Sequence, residues 1–513
     1  MKLKLALGLN RVRPIHELLV TEDGYCECSK LLNYLCTEKS IKKVKGTEAY
    51  NSSVLPSDVP WLLRSYHKRA DGSFQKALHA YSNGDIYYGD DVAGTWTATN
   101  VTTLNANAIP LHALFQVSGN SILYLYNGVD GVYKYDGNGS FQWETTTIND
   151  DLGRIVESGT VHLDRMWYVS VNSSIITYSA NLEPETLTGT DVADIIVGQE
   201  KDSIVRRIVV GANETMYIFK NQSIYELYGR TPSTFQIRLV TDKYGLASKR
   251  AIYPVGNGFI FLNEFNKELY FFGGTESSIV ALTEKTIKLR DILDDTQVEK
   301  TTMTVHNGYF RFAFKHKNDS IHQDRELVYP IHFPRPDGLP RWSMTKGLKI
   351  LSYALMQRQG DDNILLTGRD DTGKVMYMNR GNDFDDQPIE TRVRTAEVVA
   401  SEDKVVRFKG FYVKGRPGSQ NHPLIFRYYL NGRYATTNQH SMDSKGELRT
   451  VGMMKFSTQD LFNNRVIPNH DYSIGNSIAF EIEDIQKATE IELYSISFSA
   501  KERYKLRNQL VGV

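Results

Sequence analysis

Between residues 75 and 385 one pattern recurs seven times: a strand, a tight turn, a second strand, and often a third strand rich in Tyr or Phe. The apolar runs of the seven units fall at 77–81 with 86–89; 114–117, 122–126 and 132–137; 165–169 with 175–179; 207–210, 216–219 and 224–229; 251–255, 259–262 and 269–273; 303–305, 309–314 and 327–330; and 351–355, 364–366 and 375–378. Units follow one another at about 36–50 residues, close to the roughly 40–50 of four-stranded propeller blades. Asn83-Gly84 and Asn307-Gly308 stand between alternating runs, the strongest short-range hairpin signal. A hairpin with one apolar face cannot bury it alone, whereas stacking the units around an axis buries every face and protects the edges. The pattern therefore predicts an all-β chain with a β-propeller of about seven blades. Two Greek-key sandwiches are the rival arrangement.

The pattern changes on either side. Residues 1–74 have no regular period and read as an extended N-terminal arm, with a helix over 29–36 that puts Leu31, Leu32 and Leu35 on one face. Lys2 and Lys4 alternate with Leu3 and Leu5, which reads as a strand; the apolar run ends at Asn10-Arg11, too short for an export core. The stretch from Asp383 to Pro388 reads as a linker. Longer strands at 389–399, 405–414, 424–430, 477–482 and 490–498 then predict a small antiparallel β-sandwich over 386–500, with a tight turn at Asn431-Gly432. Residues 501–513 form a basic tail. The domains expected are thus 1–74, 75–385, 386–500 and 501–513.

Composition narrows the function. Lys plus Arg equals Asp plus Glu at 60 each, so no global cation excess exists for wrapping nucleic acid. A neutral chain also lacks self-repulsion, which suits association. The 30 Tyr side chains suit half-buried strands and subunit contacts. The three cysteines, Cys26, Cys28 and Cys36, are an odd set without a fourth ligand at metal-site spacing, since His16 and His67 are distant; they read as reduced thiols. No stretch reaches the ~20 apolar residues that a membrane span needs.

Catalytic signatures are absent from the sequence. It has no phosphate-binding Gly-x-x-x-x-Gly-Lys loop, no His-Glu-x-x-His helix and no Gly-x-Ser-x-Gly elbow. The acidic pairs Asp90-Asp91, Asp150-Asp151, Asp294-Asp295, Asp361-Asp362 and Asp370-Asp371 fall at or near connections and read as solvated turns. The run from Asp91 to Trp96 has the wrong Asp-to-Gly spacing for a sialidase-type turn. His306 and His332 read as packed or exposed turn residues. The basic pairs Arg206-Arg207 and Lys249-Arg250 flank strands and read as exposed strand ends, with a channel-facing position as the alternative. No catalytic, cofactor-binding or metal-binding residue is assigned.

The stretch 208–274 is the most informative. A strand pair ends in Leu227-Tyr228-Gly229, a turn follows at Gly245-Leu246-Ala247-Ser248, and a hairpin ends in Phe272-Gly273. This order resembles the tail hub, nozzle or packaged-DNA stabilisation (head-completion) proteins of short-tailed bacteriophages, and the sandwich after the propeller fits the same order. The resemblance implies a structural virion protein, not an enzyme and without cofactor. It implies a ring of copies, commonly six, that extends the portal-adaptor channel, retains packaged DNA and conducts it during ejection. The implied partners are further copies of the chain, the portal-adaptor ring, distal needle, spike or fibre proteins, and genomic DNA in transient non-specific contact, with assembly in the host cytoplasm. The alternative is a carbohydrate-binding or carbohydrate-cleaving propeller protein of a tail appendage, which expects a central pocket lined by acids and aromatic rings.

Overall fold

The structure is a computed structural model that describes the chain except residues 1, 51–52, 57–60, 69–73, 90–94, 118–119, 138–140, 199–202, 319–320, 359–360, 401–403, 417–422, 434–438, 444–461, 467–473, 485–490 and 506–513; side chains at 64–68, 74–77, 357–363, 404–405, 423, 439–443, 462–466, 474 and 502–505 are likewise outside the description. Seven antiparallel blades succeed one another. Five are separate four-stranded sheets spanning 61–98, 111–145, 156–196, 205–241 and 252–281. Blade 6 covers 302–346 and blade 7 covers 350–378.

Strand alternation makes each blade two-faced, and the two faces serve different neighbours. In blade 3, Met166 and Tyr168 pack with Phe115, Tyr124 and Tyr126 of blade 2, whereas Trp167 and Val169 pack with Ile208, Met216 and Ile218 of blade 4. Blade 4 meets blade 5 through aromatic rings: Phe219 lies 5.5 Å from Phe261 and 5.8 Å from Phe272. The circle closes where Ala354, Met356 and Leu366 of blade 7 pack on Leu62, Leu78 and Ala80 of blade 1. Around most of the circle the first strands of neighbouring blades touch one another, so they line the axis, and the fourth strands form the rim.

Seven of the predicted hairpins thus occupy seven blades. The fourth strands went unread because they are mostly short and half-exposed: Trp96–Ala98, Glu144–Thr145, Ala193–Ile196, Gln236–Thr241 and Val280–Ala281 bury almost no side chain. Blade 7 takes its fourth strand from far upstream. Thr47–Ala49 pairs antiparallel with Val375–Met378, Ala49 opposite Met376 and Thr47 opposite Met378. The blade boundary expected at 75 moves accordingly, since blade 1 begins at Trp61.

Residues 386–505 supply most of a two-sheet sandwich. Lys404–Arg416 and Glu492–Lys505 form the spine of one sheet; Pro423–Leu430, Ser477–Asp484 and Thr391–Thr395 form the other. Phe411 of the first sheet meets Phe426, Tyr428 and Phe480 of the second at ring separations of 5.9, 4.8 and 5.1 Å. Phe408 and Phe498 extend this apolar layer.

The N-terminal segment is woven into both bodies instead of forming an arm. Lys2–Lys4 pairs with the Glu492–Lys505 strand, as does Ile41–Lys43. Cys28–Leu32 pairs with Thr391–Thr395 and, through Leu32 and Met344, with the last strand of blade 6, so one sheet runs from blade to sandwich. Leu3, Leu5, Ala6, Leu7 and Leu9 are buried, and this apolar burial is what the segment gains by ordering. The expected helix over 29–36 is two strands, Cys28–Leu32 and Tyr34–Cys36, split by Asn33 at φ 57. Tertiary pairing wins because a helix this short is marginal alone; Asn33 Nδ2 donates to the Glu390 carbonyl oxygen at 2.7 Å and its Oδ1 accepts from the Lys346 amide at 2.8 Å. The expected linker at 383–388 is a small hairpin, Asp383–Phe384 with Gln387–Pro388, turned by Asp385 and Asp386 at φ 52 and 69 and laid against Thr47. Lys501 continues the Glu492–Lys505 strand, and the expected tail beyond 505 lies outside the described residues.

Asn83 and Gly84, at φ 55 and 82, form the mirror-image turn that the right-handed strand twist favours. A Cβ on Gly84 would stand 2.1 Å from the Leu104 carbonyl oxygen. Gly84→Ala is therefore expected to lower stability by about 2 kcal/mol or more, read as a reduced urea midpoint at unchanged slope.

Candidate functional site: the bridged propeller axis

The first strands of a propeller converge on its central axis, so side chains at their ends meet there. Arg206 and Arg207 stand on the first strand of blade 4, Val205–Val210. Lys249 and Arg250 come just before the first strand of blade 5, Ile252–Val255. Both basic pairs face this axial layer, so the expectation of exposed strand ends is corrected: Lys249, Arg206 and Arg250 have partners in other blades, Arg207 lies in the field of Tyr126 and Glu157, and strand ends that converge on an axis are enclosed by their neighbours.

Lys249 Nζ lies 3.4 Å from Glu157 of blade 3, with both side chains 12% exposed. Arg206 Nη1 pairs with Glu299, before blade 6, at 3.0 Å. Arg250 Nη1 donates to the Pro110 carbonyl oxygen, before blade 2, at 3.2 Å, and its guanidinium lies 4.4 Å from the ring centre of Trp61 in blade 1. Blade 5 neighbours neither blade 1 nor blade 2, so Arg250 crosses the axis. Burial holds Arg250 down to about 9, with Arg207 repelling it. Burial likewise lowers Arg207 to about 10, against the attraction of Tyr126 and Glu157. Burial lowers Lys249 and raises Glu157, each partly offset by the other. The layer holds four cations and two carboxylates from named residues, so its balance is cationic. The bare pairs Arg206-Arg207 and Lys249-Arg250 were visible in the sequence; Trp61, Glu157 and Glu299 were not, because nothing local marks a strand end that meets a distant blade.

The acidic pairs do structural work. Asp294 caps the 3-10 helix Asp295–Lys300, accepting from the Thr296 amide at 2.9 Å, and pairs with Lys315 at 2.8 Å, which holds its carboxyl down to about 2. Asp371 is held by Lys349 at 2.7 Å and Arg369 at 2.8 Å; Asp370 accepts from the Gln323 amide at 2.9 Å. Asp151 accepts from the Thr147 hydroxyl at 2.7 Å. Asp90, Asp91 and the side chains of Asp361 and Asp362 lie outside the described residues, as does most of the run from Asp91 to Trp96. His306 is buried at a strand end, and the His332 ring covers Gly308. Cys26, Cys28 and Cys36 are free and buried, and burial pushes the Cys36 thiol up to about 12. Among the described residues no three His, Cys, Asp or Glu side chains are grouped to hold a metal, and no helix is long and apolar enough to cross a membrane.

Two surface features remain. A pocket of about 440 Å³ between blades 3 and 4 is lined by His162, Glu214, Glu226, Tyr228 and Arg238, and Glu226 is engaged by Arg238 at 2.5 Å. On the rim, the fourth strands of blades 3, 4 and 5 expose Ile196, Leu239 and Val280 at 50, 48 and 50%. Tyr228 beside them is 68% exposed.

No family model matches the chain, and no curated protein matches it. Among solved structures it is similar to the extracellular domain of a hybrid two component system from B. thetaiotaomicron, with 10% identity over 83% of this chain and 58% of that one and a TM-score of 0.45. It is also similar to the extracellular domain of a one component system from the same organism, with 10% identity over 73% of this chain and 45% of that one and a TM-score of 0.40. A third is the exo-beta-1,3-galactanase of Phanerochaete chrysosporium, with 8% identity over 89% of this chain, all of that one, and a TM-score of 0.27. The chain thus spans 45 and 58% of the two B. thetaiotaomicron domains.

Proposed function

We propose that this chain is a structural virion protein, a ring-forming hub or nozzle subunit of a short phage tail that extends the portal-adaptor channel, retains packaged DNA, conducts it at ejection and anchors distal tail parts. The observation that carries the reading is the apolar rim. Monomeric surfaces expose single apolar residues at random, but here the outermost strands of three successive blades each present a β-branched or leucine side chain about half exposed. Such strands also offer unpaired edges, which suits lateral contact with a second copy. The bridged axis points the same way. An axis crossed by Arg250 leaves no passage for a duplex through the propeller, so a conduit is formed between copies in a closed ring.

The test is the mass of the purified chain, alone and with the portal-adaptor ring, by multi-angle light scattering. The expected result is a closed oligomer, and Leu239→Asp with Val280→Asp is expected to leave a folded monomer. A wild-type chain that stays monomeric under every condition, adaptor present, overturns the reading.

The second reading, carbohydrate binding at a tail appendage, has one feature in its favour: the rim pocket with Glu214, Tyr228 and His162. Titration of surface polysaccharides against wild type and Tyr228→Ala decides it, since saccharide binding that depends on Tyr228 is its requirement.

A further inference from the structure

The chain is neutral overall, so a cation cluster must be matched by acids elsewhere and is informative where its own acids are missing. Two open pockets of about 480 Å³ each are lined by five Lys or Arg side chains. One lies at the seam between blade 6 and the sandwich, lined by Arg11, Lys30, Arg325, Lys346 and Arg392. Its cations are largely answered: Lys30 pairs with Glu481 at 3.7 Å, Arg392 with Glu483, and Arg325 with Asp324, while Glu390 is part of the wall. That balance is what an internal joint needs.

The other pocket lies on the sheet built from Lys2–Lys4, Glu492–Lys505 and Lys404–Arg416. Lys2, Lys4, Lys39, Lys414 and Arg416 line it, and no carboxylate does among the described residues. Lys4 and Lys414 are both in register with Ser495, so strand pairing itself brings the two ends of the chain together at this point. Among the described residues only Lys39 has an ion-pair partner, Glu38 at 3.7 Å, and both are exposed. Glu492, in register opposite Arg416 on the neighbouring strand, is engaged by the Tyr494 hydroxyl at 3.1 Å and by Ser40. Tyr25 and Tyr494 complete the walls, and Lys4 Nζ stands 4.3 Å over the Tyr25 ring. Lys and Arg on an open sheet face, with Tyr and Ser between them, make the donor set of a phosphate-backbone contact that carries no base readout.

We propose that this sheet face is a sequence-independent binding surface for the nucleic-acid backbone. Resting on the ring reading, it is then the face turned toward the conduit. On a neutral chain, such a cationic face gives a ring a band that holds DNA without making the whole passage adhesive. The interaction weakens as salt rises, because binding releases the counterions condensed on the phosphates.

The experiment is fluorescence anisotropy of the full chain with labelled duplexes of two unrelated sequences, at low and physiological salt. Both sequences are expected to bind alike. Lys414→Gln with Arg416→Gln is expected to weaken binding about tenfold at low salt and to flatten the log–log salt slope by about 2, near 0.9 for each phosphate that is no longer neutralised. The seam pair Arg11→Gln with Lys346→Gln is expected to change it less than twofold. Absence of salt-dependent binding in wild type, or equal weakening in both double variants, overturns the proposal. So does polyglutamate competing as well as DNA, which makes the face a dock for acidic protein. A ring that forms but does not bind DNA rejects this inference alone; DNA binding by a permanent monomer rejects the ring and leaves the surface standing.

Discussion

Lys43→Ala is expected to destabilise the protein by about 3–5 kcal/mol, while Lys43→Met combined with Asp484→Leu recovers most of the loss. Lys43 ends the strand Ile41–Lys43 in one sheet of the sandwich, and Asp484 ends Ser477–Asp484 in the other. Their charges meet at 2.7 Å with side chains 2 and 1% exposed. Removing the ammonium takes the cation at 2.7 Å from a carboxylate shut away from water, and the cost is that of breaking a buried ion pair from one side. Replacing both ends with apolar groups of similar volume removes the penalty together with the attraction. Urea denaturation of the three proteins reads this directly. A single variant that melts with wild type, or a double variant no better than the single, contradicts the buried pairing.

Deleting residues 2–49 is expected to abolish cooperative folding of both bodies. The deletion strips the fourth strand from blade 7, at Thr47–Ala49, and four further strands from the sandwich sheets, including the one that joins the sandwich to blade 6. It also uncovers the apolar layer that Leu3, Leu5, Leu31, Tyr34 and Ile41 share with Phe312, Phe411 and Phe480. Circular dichroism and limited proteolysis on the truncated chain would show a diminished β signal and rapid cleavage throughout. A peripheral arm, as the aperiodic sequence of 1–74 suggests, would instead come off with little change in melting.

How much was legible follows from where the signal lives. The blades could be read because their inner three strands alternate: Met166, Trp167, Tyr168 and Val169 are all buried, two facing each way. Asn83-Gly84 could be read because its backbone conformation is one that few other residue pairs adopt. The fourth strands could not, since Glu144–Thr145 faces water and owes its pairing to Tyr133–Tyr135. Nor could the closing strand, since Thr47–Ala49 is paired with Met376, more than three hundred residues away in sequence, and local periodicity carries no information at that range. The same limit hid the cationic face. Lys2 and Lys4 were recognisable as alternating strand positions, and Lys414 as the end of the strand expected over 405–414, but only the register of Lys4 and Lys414 on Ser495 makes them one surface. At the axis the two basic pairs were visible and their direction was not, because direction depends on closure of the whole wheel.

The ring is tested most directly by electron cryomicroscopy of native particles that carry this chain. The account predicts copies arranged in a closed circle below the portal adaptor, with the fourth strands of blades 3–5 buried between neighbours and the Lys414 sheet face turned inward. Copies found singly on a peripheral appendage, with Ile196, Leu239 and Val280 open to solvent, would contradict it.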